Sequence, residues 1–199
     1  MIELRLGKTI FRLQFGFFAA VAILFLFYEG KTALWGLYAC LLHEAGHLLA
    51  MRLCGVPVRS VMLYFAGIRI DTKNPREFLP PGREIFILIS GAAVNFAVFI
   101  LCLLFRGSES ATLFGAINLV IGLFNLLPLM MFDGGRLITA LLNILCTPEN
   151  AETLLRFRQK ADLALIPAAA AVFFILGNRN ISLYATLIYF MIITISADN

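Results

Sequence analysis

Apolar positions in this chain run in long blocks, without the close alternation of apolar and polar residues that marks the half-exposed elements of a soluble fold. Six blocks approach or exceed the roughly 20 residues a helix needs to cross a bilayer. They cover residues 10–28, 32–53, 84–105, 111–131, 161–177 and 181–197. The first follows Arg5, Lys8 and Arg12 and resembles the core of a signal peptide. No small-x-small cleavage site follows at "YEGKT", so it reads as a retained helix. The pattern changes in two places. Residues 56–72, "VPVRSVMLYFAGIRIDT", alternate apolar with polar or small positions and break at Ala66-Gly67, which predicts two short strands. "NPREFLPPG" then turns the chain into the third block. After the fourth block, "DGGRLITALLNILCTPENAETLLRFRQK" predicts two helices divided at Thr147-Pro148, the first with an apolar face. The expected fold is an all-α polytopic membrane protein of about six transmembrane helices. A small cytoplasmic-side β-hairpin or sheet lies between helices 2 and 3.

Composition strengthens this picture. The 199 residues are 61% hydrophobic and 14% charged, with a mean hydropathy of +0.91, whereas soluble domains are about 45–50% apolar and about 25% charged. A net charge of +4 could suggest nucleic acid as partner, but here the basic residues sort by side. Thirteen of the sixteen Lys and Arg fall in the N-terminal tail and in the 52–83 and 132–160 connections. The positive-inside bias places those segments, and both termini, in the cytoplasm. Cys40, Cys54, Cys102 and Cys146 show no CxxC spacing and read as buried hydrophobes. There are no internal repeats, and no soluble domain is expected at either end.

Candidate chemistry sits inside the second block, in "YACLLHEAGHLLAMRL". His43 and His47 are the only histidines, and at i and i+4 they project from one helix face. That spacing suits two imidazoles on one Zn²⁺, with Glu44 as general base toward a bound water. Two solvated histidines and an acid are the ordinary alternative for HExxH. Here a charge buried at mid-bilayer costs about 2.5–3.5 kcal/mol even on lenient scales, so a compensating ion is the better account. A catalytic zinc commonly takes a third protein ligand. No third histidine exists, and elimination among the membrane-edge carboxylates leaves Asp133, in "FNLLPLMMFDGGRL". An N-cap for a helix beginning at Gly134 accounts for that residue as well.

Taken together, these motifs resemble the site-2 proteases, the intramembrane zinc metalloproteases. HEAGH on an early span pairs with Asn125, Pro128, Asp133 and Gly134 at that family's second-motif spacing, and "SGAAVNF" is similar to its Gly-x-x-x-Asn element through Gly91 and Asn95. Ala92 and Met130-Met131-Phe132 depart from the family's usual residues without removing a ligand or the base. The resemblance covers about residues 32–140. It implies a single intramembrane protease domain over 1–199, with a catalytic core at about 32–140 and extra helices at 10–28, 161–177 and 181–197. It implies one Zn²⁺ per chain on His43, His47 and Asp133, with Glu44 as catalytic base. Asn125 and Asn95 are candidate substrate or oxyanion donors, and Asn95 and Asn118 also suit interhelical hydrogen bonding. The layout looks most like the stage IV sporulation protein FB branch without a CBS domain, in a bacterial cell membrane.

The implied reaction is hydrolysis of a peptide bond in or near a transmembrane segment of a membrane-tethered substrate, such as a regulator handled by regulated intramembrane proteolysis. The site would lie in the cytoplasmic half of the lipid bilayer, where the 56–72 strands could pair with an extended substrate. A regulatory membrane partner fits this setting and nucleic acid does not. The rival reading is a non-proteolytic membrane zinc-binding scaffold or transporter. A transporter would carry polar groups along a path through the bilayer, whereas these cluster on one side.

Overall fold

A computed structural model describes residues 2–196 apart from 8, 28, 29, 65, 66, 73–78, 106 and 178. The expected break at Ala66 and most of the "NPREFLPPG" turn lie outside the described residues. Two compact units result, Met1–Asn125 and Leu126–Asn199.

The first unit opens with strands where the sequence predicts only a tail and the start of a span. β1 (Ile2–Leu6) and β2 (Thr9–Leu13) form an antiparallel pair around Gly7, whose φ of +62° favours glycine. Helix α1 therefore spans Phe15–Phe27 instead of 10–28. Its 13 residues extend only about 20 Å at 1.5 Å per residue. Ile10, Phe11 and Leu13 merge into the block of the apolar helix, which hides the strand. Its signal is Arg12, directly opposite Glu3 across the ladder at 2.7 Å. The predicted hairpin is present as β3 (Val58–Tyr64) and β4 (Gly67–Thr72), antiparallel with an irregularity between Val58 and Ser60. β2 joins β3 in parallel, giving a four-stranded sheet in the order β1-β2-β3-β4. A hairpin alone is marginal, and the N-terminal pair doubles the sheet.

Three helices complete this unit. α2 (Gly30–Leu53) ends where Val56 N–H donates to Met51 O at 2.8 Å and Gly55 N–H to Arg52 O at 3.1 Å, with Gly55 at φ +69°. This is a Schellman cap, which turns Val56 back onto a buried cluster of Ala50, Met51 and Ile87. α3 (Pro81–Cys102) starts with Pro81 in the first turn, where a missing N–H does no harm, and runs into a 3-10 turn at Leu103–Phe105. Among the described residues, Pro81–Phe105 is the one helical segment long and apolar enough to cross a membrane by length and composition. α4 (Glu109–Asn125) packs on α3, and α2 touches both. The fourth block, expected as helix over 111–131, stops at Asn125. Pro128 lacks an N–H and disfavours helix at the residue before it, so 126–132 is turn. Asn125 thus ends α4, and Asp133 lies on a different helix.

In the second unit α5 (Asp133–Leu145) and α6 (Pro148–Ile175) divide at Thr147-Pro148, as the sequence predicts. The cytoplasmic helix and the fifth block, expected as separate elements, are one 28-residue helix. Nothing breaks it near residue 160, and Glu152 with Arg156 adds an i,i+4 pair at 2.6 Å. α7 (Ile181–Ser196) packs against α6. Phe18, Ile100, Leu104, Phe174 and Ile192 lie exposed on α1, α3 with its 3-10 turn, α6 and α7, a surface suited to lipid as its solvent.

Candidate metal centre

Both histidines are buried in the α2–α3–α4 bundle, with His43 at 3% and His47 at 7% exposure. Their Nε2 atoms stand 3.1 Å apart, with the rings edge to face. The outer nitrogens explain this arrangement. His47 Nδ1 lies 2.7 Å from the carbonyl of Ile87, which only accepts, so Nδ1 carries the proton. His43 Nδ1 lies 2.7 Å from Asn95 Oδ1 and is a donor for the same reason. The two Nε2 atoms then face one another at short range, a placement that suits a shared cation. Zinc with bonds of about 2.0–2.1 Å in tetrahedral geometry sets two nitrogens about 3.3 Å apart, close to the observed separation.

The floor of this centre is glycine. A Cβ on Gly91 would lie 2.5 Å from His47 Nε2 and 2.7 Å from His43 Nε2, so any side chain there fills the space beside the metal-facing nitrogens. On the facing helix, a Cβ on Gly46 would lie 2.7 Å from Ser90 O and 3.1 Å from Gly91 Cα. Gly46, the fourth residue of HEAGH, therefore admits the backbone of α3. Glu44 follows His43 on α2 and is half-buried.

Asn95 is fully buried, and its Nδ2 donates to Ala39 O at 3.1 Å and to Asn118 Oδ1 at 2.8 Å. With its amide N–H groups engaged in the bundle, it serves His43 in place of the substrate-donor role expected of it. Asn118, also fully buried, donates from Nδ2 to Phe114 O at 2.9 Å. Asn125, at the end of α4, donates to Ile121 O at 3.0 Å.

Asp133 belongs to the second unit and is the first residue of α5, with Phe132 as the N-cap. Asp133 therefore stands one position inside the helix, and Phe132 at the N-cap position makes no side-chain cap bond. Backbone N–H groups of the first turn favour a carboxylate at this end. Gly134 follows because a Cβ there would collide with the Leu126 carbonyl. Two residues that sequence reasoning passed over hold this segment. Asp162 of α6, 4% exposed, accepts from Met130 N–H at 3.1 Å. One turn earlier, Arg158 Nη1 donates to Gly135 O at 2.9 Å and to Thr139 Oγ1 at 3.3 Å. Burial pushes the Arg158 guanidinium below its ordinary pKa, and the Asp162 carboxylate offsets part of that. The i,i+4 spacing of a basic and an acidic residue was the available signal, and it reads as an ordinary surface pair.

Three comparisons with known proteins bear on the chain as a whole. Residues 106–165 match the model of peptidase family M50. A zinc metalloprotease of Methanocaldococcus jannaschii is 31% identical over 111 residues, which take in 51% of this chain and 31% of that one. The chain thus matches about a third of the length of this curated relative. The solved structure of a site-2 protease from Methanocaldococcus jannaschii superposes with a TM-score of 0.69 at 20% identity, covering 98% of this chain and 94% of that one, so the fold is shared. The chain is thus similar in part to M50 peptidases and to a zinc metalloprotease, relatives whose cofactor is zinc, and shares the fold of a site-2 protease.

Proposed function

We propose that this chain is an intramembrane zinc metalloprotease that hydrolyses a peptide bond in or near a transmembrane segment of a membrane-tethered protein. The observation that carries the reading is the pair of imidazole Nε2 atoms converging beside Gly91. His43 and His47 hold the metal, and Asp133 supplies the third ligand, with the two units working as one protease domain. When bound, the ion lowers the pKa of a coordinated water toward about 7 and polarises the scissile carbonyl. Glu44 takes the proton from the attacking water and delivers it to the leaving amine. Asn125 is the remaining candidate donor toward the developing oxyanion. The surrounding apolar helices keep bulk water from the reacting groups.

The wider setting is part of the same proposal. Six spans are read from the apolar blocks and a bacterial cell membrane from the family resemblance, while the basic-residue bias places both termini in the cytoplasm and the site in the cytoplasmic half. An extended substrate would add to β4, which ends the sheet. The compact layout favours the sporulation-type branch, with a tethered regulator as substrate.

The test is Glu44→Gln, reconstituted in membranes with a candidate substrate. Cleavage should vanish while about one zinc per chain is retained, as the three-ligand site requires. Cleavage surviving the change would remove Glu44 from the mechanism, and wild type without zinc would remove the site.

A further inference from the structure

We infer that Asn118, which is two side chains away from the metal, is a positioning residue that fixes, through Asn95, which nitrogen of His43 is presented for binding. The inference rests on the zinc reading above and deepens it. The chain of amides is read from its far end. A backbone carbonyl only accepts, so the atom of Asn118 lying 2.9 Å from Phe114 O is its amide nitrogen. Asn118 Oδ1 therefore faces Asn95, which must answer with Nδ2 at 2.8 Å. The same nitrogen also donates to Ala39 O, so that carbonyl and Asn118 share the task of holding this orientation. Asn95 Oδ1 is thereby turned to His43 at 2.7 Å, the Nδ1 proton is fixed, and Nε2 keeps its lone pair.

A flipped Asn95 would offer an N–H to Nδ1, move the ring proton to Nε2 and abolish the ligand. Asn95 and Asn118 are 0% exposed, so no water can replace a missing member. His47 needs no such device, because its partner is the Ile87 backbone carbonyl, which cannot flip. Through Asn118, α4 thus fixes the state of an imidazole on α2.

The experiment uses the purified full chain with Asn118→Ser and Asn118→Leu. The serine hydroxyl can still bond its own i−4 carbonyl, that of Phe114, but is too short to reach Asn95. The leucine removes both bonds, and the serine variant decides the question should the leucine variant misfold. Zinc affinity is measured by chelator competition, and the tautomers of the apoprotein by ¹⁵N NMR of the imidazoles.

We expect zinc affinity to fall about tenfold, the lower end of the 10–100-fold typical of residues supporting a ligand. An Nε2–H form should appear for His43 and not for His47. Asn118→Leu should add nothing in an Asn95→Leu background, since it acts only through that residue. Wild-type affinity and tautomer in Asn118→Ser, or additive losses in the double variant, would overturn the inference. Wild type that binds no zinc would instead sink the protease reading, and the tautomer spectra would still decide the role of Asn118.

Discussion

His43 and His47 stand on one 24-residue helix, and their partners come from a neighbouring helix: a carbonyl and an amide of α3, over a floor of glycine. Asp133 opens a 13-residue helix after a turn, and its surroundings are held by two charged side chains of α6. The histidine half is fixed by packing and by neutral hydrogen bonds in a buried bundle, which leave little freedom once the helices associate. The carboxylate half is fixed by ionised groups binding backbone atoms, bonds that are individually stronger but few. Nitrogen ligands need a set tautomer and ring plane, whereas a carboxylate at a helix start needs mainly its backbone held.

Breaking the first half should have the largest effect. His47→Ala removes a ligand, and zinc measured by atomic emission should fall from about one per chain to background, taking cleavage with it. Gly91→Ala keeps every ligand yet should weaken zinc by about 100-fold, read by chelator competition, because its methyl group displaces both rings. Asp162→Ala tests the second half. It takes the acceptor from the half-buried Met130 N–H, and should cost about 1 kcal/mol in denaturant unfolding. Amide exchange at Met130 should quicken while the His43 and His47 resonances stay in place. Smallest of all, Glu3→Ala at the half-exposed pair with Arg12 should cost under about 1 kcal/mol and leave zinc binding unchanged.

Much of the first half could be read from the chain itself. HEAGH shows its face by i,i+4 spacing, and Gly91 with Asn95 follows from a motif resemblance. The tautomer logic could not be read, because it depends on which carbonyl of α3 falls opposite His47 and on a long-range contact between Asn95 and Asn118. In the second half, Asp133 was reached by elimination, but Arg158 and Asp162 looked like members of a charged helix face. Sequence spacing cannot tell a solvated pair from two groups turned onto a backbone. The N-terminal strands escaped for a different reason: Thr9–Leu13 adjoins an apolar helix and merges into its block, although Arg12 and Gln14 interrupt the run and Ile2–Leu6 alternates apolar with charged residues.

The contact at Gly46 and Gly91 has a mechanical consequence. Two helices meeting backbone to backbone have no side-chain cushion between them, so a slip of one residue along either axis would drive a β-carbon into the opposing main chain. α2 and α3 therefore keep one register, and the separation of the two imidazoles is set by the helix pair before any ion arrives. An ion bound between these two imidazoles would ask no rearrangement of them.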